Sequence, residues 1–402
     1  MTEYVGSSRR ADERRPRKTS WLAKLDGLES GRLDVVMANG ERHVFVGRSP
    51  GPRAEVIVHD MAAAVRRLAG GDVGLADAYV AGEWDTPDLA GLLTLVTANR
   101  HVMDRLASNP LMRILQFLRN ALNRNTRKGA SRNIRAHYDL GDDFYAAWLD
   151  PGMTYSSGLD LARDGDLEAS QARKFAALAD ALDLRPGHRL LEIGCGWGGF
   201  AEYAASKRGA QVTAITISPS QHGYARSRIA LAGLGEKVDV RLCDYRDLTG
   251  VYDRVASIEM VEAVGEAFWP GYFRTLAQCT APGGRAALQA ITIREDAFPR
   301  YRRELDFIRA RIFPGGMLPT ATILREMGGK SGLRPIAERA FGLDYAETCR
   351  LWRERFLGAW PEIAGLGFDA AFKRLWTYYL AYCEAGFRVG HVDVRHIVFE
   401  RV

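Results

Sequence analysis

Leu190-Leu191-Glu192-Ile193-Gly194-Cys195-Gly196-Trp197-Gly198-Gly199 is the stretch on which the fold turns. It begins as a buried apolar strand, breaks into a glycine-rich turn and opens a helix. Glycine is needed where the backbone turns tightly and where a ligand must come within contact distance of the main chain. Working outward, residues 189–194 read as a strand, 200–208 as a helix, 212–217 as a strand and 220–231 as a helix. Residues 238–243, 254–258 and 285–291 supply further strands, with helix between the last two. Such alternation predicts an α/β, doubly wound, mostly parallel Rossmann-like sheet that takes its ligands at the carboxyl ends of the strands. No internal repeat is visible.

A G-x-G turn alone also suits NAD or FAD. A dinucleotide enzyme, however, usually ends its second strand on an acid for the ribose hydroxyl. Here the run is Ala214-Ile215-Thr216-Ile217-Ser218-Pro219-Ser220-Gln221, with no acid and no third glycine at the NAD spacing. The acid precedes the turn instead, as Glu192, which is the usual methyltransferase pattern.

At 402 residues the chain is long enough for two domains. Residues 1–20 read as a disordered basic tail, 21–122 as a smaller α+β N-terminal domain, 123–132 as a linker and 133–402 as the catalytic domain. The N-terminal part carries strand patterns between residues 32 and 58, with Asn39-Gly40 as a hairpin turn. Helical pattern follows from Met61, over 75–79, and over 89–98. The five cysteines are scattered, with no zinc-ligand spacing, so no metal is expected. No signal peptide and no transmembrane run is read, and the expected location is cytoplasmic.

The net charge of +6 is unevenly placed. Between Arg100 and Arg135 stand nine Arg or Lys against one acid, Asp104, so that window carries +8 and the rest of the chain −2. Within it, Leu111, Ile114, Leu115, Leu118 and Leu122 share one helical stripe. A basic amphipathic segment of this kind suits the anionic inner face of a membrane, and equally a helix docked on its own domain.

More specific motifs lie on either side of the glycine turn. Tyr138-Asp139-Leu140-Gly141-Asp142-Asp143-Phe144-Tyr145, Trp148-Leu149-Asp150 and Met153-Thr154-Tyr155-Ser156-Ser157-Gly158 open the second domain. Asp244-Tyr245-Arg246-Asp247, Phe313-Pro314-Gly315-Gly316-Met317-Leu318-Pro319 and Trp376-Thr377-Tyr378-Tyr379-Leu380 follow in order. Together they resemble the cyclopropane-fatty-acid and mycolic acid cyclopropane synthases, strongly from about Asn133 onward and only loosely before it, over residues 76–84.

The resemblance implies S-adenosylmethionine as cofactor and the double bond of a phospholipid acyl chain as substrate. It implies Tyr155 and Ser156 at the methionine moiety, Gly194 and Gly196 as main-chain cradle, and Thr216, Ile217, Ser218 and Gln221 on the ribose side. Asp244, Tyr245, Arg246 and Ile258 complete the cofactor set. A bicarbonate base is implied at Ser157, Glu262, Gln289, Ile291 and Tyr345. Methyl transfer to an alkene leaves a carbocation, and proton loss from the new methyl closes a cyclopropane.

The pattern departs at three places. Ser157 stands where many members carry Cys, Gln289 where they carry His, and Ala263 follows the glutamate where His is common. Glu259 is an extra acid that the sequence allows at the cofactor. These departures leave a methyl- or methylene-branched product as the alternative. RNA and small-molecule methylation rank lower, since Ser257-Ile258-Glu259-Met260 offers no target-base motif, and a homodimer stays open. Of the C-terminal aromatics, Phe307, Phe313, Tyr378, Tyr379 and Tyr382 are candidates for an acyl tunnel, with core packing expected for most.

Overall fold

The alternation around Asn39-Gly40 folds as a hairpin in the computed structural model, which describes residues 22–102 and 140–402. The expected basic tail, the stripe at 111–122 and the linker lie outside the described residues. β1 (Ser30–Met37) and β2 (Arg42–Val46) pair antiparallel. Gly40 takes φ +83° at the turn, and the Asn39 side chain accepts the Glu41 N–H at 3.0 Å. β3 (Ser49–Val58) then runs parallel to β1, a pairing the local pattern does not reveal. After α1 (Met61–Leu68) and α2 (Gly71–Val80), the two-residue β4 (Trp84–Asp85) closes the sheet in the order β2-β1-β3-β4. α3 (Leu89–Ala98), capped by Asp88, lies against β3 and β1, where Leu92 and Leu95 share an apolar pocket with Leu33, Val35, Val56 and Val58. Each such side chain removed from water contributes on the order of 2 kcal/mol.

Ahead of the second sheet come α4 (Asp142–Ala146) and α5 (Leu167–Ala181). The predicted alternation follows as β5 (Arg189–Ile193), α6 (Gly199–Arg208), β6 (Gln211–Thr216), α7 (Pro219–Leu231), β7 (Val238–Leu242) and β8 (Tyr252–Ile258). The short α8 (Val261–Val264) and α9 (Trp269–Cys279) lead into β9 (Thr280–Ile293). α10 (Phe298–Tyr301) and α11 (Ala321–Lys330) come next, then β10 (Leu333–Ala340), α12 (Gly342–Gly358), α13 (Trp360–Gly365), α14 (Ala370–Arg388) and β11 (Val392–Arg401).

The sheet order is β10-β11-β9-β8-β5-β6-β7, parallel from β9 to β7 and antiparallel where β11 meets β9 and β10. The two antiparallel strands escape sequence reading for a physical reason. β10 is an edge strand with all but Leu333 exposed or nearly so, and it carries no apolar alternation to betray it.

The N-terminal elements and the C-terminal helices meet on α14. Arg374 donates to the carbonyls of Tyr79 (2.6 Å) and Trp84 (3.1 Å), pairs with Asp85 (2.9 Å) and lies 3.9 Å over the Tyr79 ring. Arg311 forks onto Asp77 of α2 at 2.9 and 2.6 Å. The weakly matching stretch 76–84 is thus the docking seam. Among the described residues no helix is long and apolar enough to cross a membrane.

Candidate active site

The carboxyl ends of β5, β6, β7 and β8 open onto one cavity of about 920 Å³. At the end of β5, Gly194 and Cys195 both donate their N–H to the Ile215 carbonyl (3.0 and 2.9 Å), tying the turn to the neighbouring strand. Gly194 has φ +83°, and a Cβ there would press on Met260 at 3.0 Å. Gly196 has φ +53°, and a Cβ there would meet nothing within 4 Å, so the turn bares main chain to a ligand-sized space. From β6, the Thr216 hydroxyl donates to the Gln221 amide oxygen at 2.9 Å, which leaves the amide N–H₂ as a donor. From β7, Asp244 receives a two-pronged bond from Arg246 (2.8 and 2.6 Å) beside the buried Tyr245. Main-chain cradle, polar second strand and ring-bearing third strand fit an adenosyl ligand.

Beyond the turn the cavity holds two carboxylates. Glu259 follows β8 at φ +49°, a left-handed position that costs a residue with a Cβ about 1–3 kcal/mol and persists only where surroundings enforce it. Three donors enforce it: the Ser157 N–H at 3.0 Å, the Gln289 amide at 2.7 Å and the Tyr345 hydroxyl at 2.6 Å. Burial pushes the Glu259 carboxyl above its ordinary range, while the same donors pull it back. Since the Gln289 nitrogen faces that carboxylate, its oxygen faces His396, so His396 donates through Nε2 at 2.9 Å. Burial takes His396 down to about 3, and it is neutral.

Glu262, on α8, is held by a single bond, from the Ile291 N–H to Oε1 at 2.5 Å. Its Oε2 is buried with no hydrogen-bond partner. Burial, then the charge of Glu259, push it up to about 8, so at neutral pH the proton resides on Oε2. Lys174, wholly buried in α5, donates to the Ser156 hydroxyl at 2.6 Å. Desolvation brings it down to about 8 against the pull of Glu259, Asp150 and Glu192. Glu192, at the end of β5, is likewise buried and raised to about 8. Aromatic rings wall this part: the Tyr155 and Tyr379 hydroxyls meet at 2.7 Å, Trp352 lies 5.3 Å from Tyr155, and Tyr345 stacks on Phe387 at 4.4 Å.

The sequence-predicted residues land in three ways. Tyr155, Ser156, Gly194, Gly196, Thr216, Ile217, Gln221, Asp244, Tyr245, Arg246 and Ile258 line the cavity. Ser218 does not, because its hydroxyl caps α7 by accepting the Gln221 N–H at 3.4 Å. Ser157, Gln289 and Tyr345 converge, but on Glu259, and Ile291 turns to Glu262. Ser157 acts through its main chain, its hydroxyl bonding the Gly158 carbonyl at 2.8 Å.

Three of the donors expected for bicarbonate are therefore taken by a carboxylate carried on the chain, and the residues present do not fit a separate bicarbonate. Phe313, Tyr379 and Tyr382 reach the cavity wall, whereas Phe307 and Tyr378 pack against each other at 4.9 Å in the core. Lys174 and His396 escaped the sequence reading. One occupies a core-facing position of an ordinary helix, the other a strand with no predictive pattern.

Sheet, glycine turn and strand-end set define an S-adenosylmethionine-dependent methyltransferase. The family model described as mycolic acid cyclopropane synthetase matches residues 125–397, and this chain belongs to that family. It is 42% identical over 353 residues to a tuberculostearic acid methyltransferase of Mycobacterium tuberculosis, covering 85% of this chain and 82% of that one. It is 35% identical over 341 residues to a cyclopropane-fatty-acyl-phospholipid synthase of Escherichia coli, covering 84% and 85%. Among solved structures, a mycolic acid cyclopropane synthase complexed with SAH and CTAB superposes with a TM-score of 0.63 at 28% identity, covering 67% of this chain and 98% of that one.

Proposed function

We propose that this enzyme methylates the double bond of a monounsaturated phospholipid acyl chain and that Glu259 removes the proton, giving a methyl- or methylene-branched unsaturated chain. The observation that carries the reading is the Glu259 carboxylate seated on Ser157, Gln289 and Tyr345. A base fixed to the backbone reaches only the C–H bonds its cage allows, whereas a free anion follows the new methyl group. The relative named for a methyl-branched acid, at 42% identity, supports the same choice.

Bound S-adenosylmethionine supplies an electrophilic methyl group. In this reading Gly194 and Gly196 hold its methionine end by main chain, with Tyr155 and Ser156 beside them. Thr216, Ile217 and Gln221 meet the ribose, and Asp244, Tyr245, Arg246 and Ile258 the adenine. The alkene π electrons form the new C–C bond and leave a cation on the adjacent carbon. Tyr155, Trp352, Tyr379 and Phe387 line the cavity there, and in this reading they exclude water and offer aromatic surface to that cation. Direct loss of the hydrogen on the methyl-bearing carbon gives the methyl-branched alkene; a 1,2-hydride shift that first moves the cation onto that carbon lets the new methyl lose the proton and gives the methylene branch. In either case Glu259 accepts the proton, and the C–H electrons become the C=C bond of the product. Glu262 stays protonated beside it, so the pair does not carry two charges. Phospholipid vesicles are approached through the basic window between Arg100 and Arg135.

The test is to supply methyl-labelled S-adenosylmethionine and vesicles of anionic phospholipid bearing oleoyl chains, then analyse the acyl products by mass spectrometry before and after catalytic hydrogenation. We expect a labelled chain one carbon larger that takes up hydrogen, at a rate indifferent to bicarbonate. A hydrogenation-resistant cyclopropane, or a rate that rises with bicarbonate, would overturn the Glu259 reading. Absence of label in lipid would overturn the substrate.

A further inference from the structure

Away from the glycine turn the cavity changes character. Its middle is walled by Ile291, Ile308, Phe313, Met317, Tyr379 and Phe387, and its outer end by arginines from both domains. Arg100, following α3, pairs with Asp72 at 2.7 Å, and Asp72 also accepts the Tyr382 hydroxyl at 3.2 Å. Arg300 of α10 pairs with Glu304 at 2.5 Å. Arg303, exposed on the turn after α10, lines the same end and makes no ion pair among the described residues.

Arg309 is the unusual member. Its side chain is 1% exposed, and its guanidinium lies 4.2 Å over the Tyr301 ring. Nη2 donates to the Tyr301 carbonyl at 2.6 Å and to that of Glu304. Nε stands 3.6 Å from Asp306, too far for a hydrogen bond, and neither Nε nor Nη1 has a partner. An unpaired charged donor in the interior is expensive, which is why buried arginines are normally fully bonded. Four arginines here face Asp72, Glu304 and Asp306, so the end retains a net positive charge.

An apolar tunnel closed at one end by a cofactor cradle and rimmed at the other by guanidinium groups matches an amphiphile with an anionic head. We propose that Arg303 and Arg309, steadied by the Arg100–Asp72 pair, form a subsite for the phosphodiester of an intact glycerophospholipid whose acyl chain occupies the tunnel. Planar guanidinium forks on separate elements suit an anion with several oxygens, and the exposed side of Arg303 leaves room for the rest of the headgroup. The inference rests on the phospholipid reading and names the residues that hold the headgroup phosphate.

Equilibrium binding to the full chain tests it without turnover, using saturated lysophosphatidylglycerol, the monoacylglycerol of the same chain, and sn-glycerol 3-phosphate. Two charge-assisted hydrogen bonds predict a preference of about tenfold or more for the lysophospholipid over the monoacylglycerol. Arg303→Gln and Arg309→Gln should each erode that preference while leaving S-adenosylmethionine affinity unchanged. Arg309 also pins two loop carbonyls, so Arg303→Gln serves as the decisive variant should Arg309→Gln fail to fold. No preference in the wild type, or a preference that survives Arg303→Gln, would overturn the subsite. Glycerol 3-phosphate binding as tightly as the acylated form would also overturn it, by uncoupling the anion from the tunnel. A phosphate preference together with no labelled lipid in the vesicle assay would instead defeat the methylation reading and leave the subsite standing.

Discussion

The two ends of the catalytic cavity are built from different materials. The glycine-turn end is main chain and short side chains on consecutive parallel strands, held by bonds such as those from Gly194 and Cys195 to Ile215. The carboxylate end is a knot of side chains from distant segments, in which Ser157, Glu259, Gln289, Tyr345 and His396 meet through hydrogen bonds of 2.6 to 3.0 Å. A backbone cradle tolerates almost any side chain that leaves its glycines alone. A side-chain cage changes its chemistry with a single substitution, which is how one fold can keep its cofactor and alter its product.

The sharpest way to break that contrast is at Glu259. Glu259→Gln keeps the volume but cannot accept a proton, and kcat should fall by about 100-fold or more, the usual worth of a positioned base. S-adenosylmethionine affinity, read by calorimetry, should stay within about twofold, because the cradle contributes no atom to the cage. Glu259→Gly goes further, since glycine accepts the φ of +49° freely and leaves three donors facing open space. Added bicarbonate should then restore turnover and introduce cyclopropane among the products. A Gln variant with wild-type kcat would show that Glu259 is a structural carboxylate.

The opposite end should fail in the opposite way. Gly194→Ala forces a Cβ onto a φ of +83° and to within 3.0 Å of Met260. Strain of about 1–2 kcal/mol predicts roughly a tenfold loss of S-adenosylmethionine affinity or more. The product distribution at saturating cofactor should not change. A changed product ratio would mean that the two ends are mechanically coupled.

This contrast also explains what could be read from the residues alone. Gly194 and Gly196 are legible from the strand–glycine-turn–helix pattern itself, whereas Thr216 with Gln221 and Asp244 to Arg246 were named through the family resemblance; all of them sit within a few positions of a strand end and line the cavity. The parallel core of the sheet was likewise legible from local pattern. The cage was legible only in part, and through the family resemblance. Ser157, Gln289 and Tyr345 could be named, but that they close on Glu259 depends on a register between β8, β9 and α12 that no local pattern encodes. His396 lies on β11, whose pairing with β9 sets Gln289 opposite it, and β11 itself went unread.

His396 offers a finer test of that register. It holds the Gln289 amide so that the N–H₂ faces Glu259. His396→Phe should lower kcat by about fivefold, the worth of one buried hydrogen bond, with KM and cofactor affinity unchanged. His396→Gln can donate from a similar position and should recover most of the loss. Equal damage from both substitutions would assign His396 to packing against Phe341, whose ring centroid lies 4.8 Å away.

The smallest expected effect separates the two carboxylates themselves. Glu262 is raised to about 8 in the folded chain from an ordinary 4.5. Between those values the folded state keeps a proton that the unfolded chain has released. Its contribution to stability is therefore full below pH 4.5, falls as pH climbs to 8 and is level above. Glu192, raised to about 8 as well, slopes the same way, while Lys174, lowered to about 8, acts only above that pH and with the opposite sign. Glu262→Gln cannot titrate, so it should flatten part of the decline in Tm between pH 5 and 8. Relative to wild type its Tm should gain more at pH 8 than at pH 5, by about 2–4 °C for each kcal/mol of the slope that is removed. An unchanged slope in the thermal melts would mean that Glu262 is already ionised when folded. The cavity would then hold two negative charges, and Lys174, not the proton on Oε2, would be what makes them tolerable.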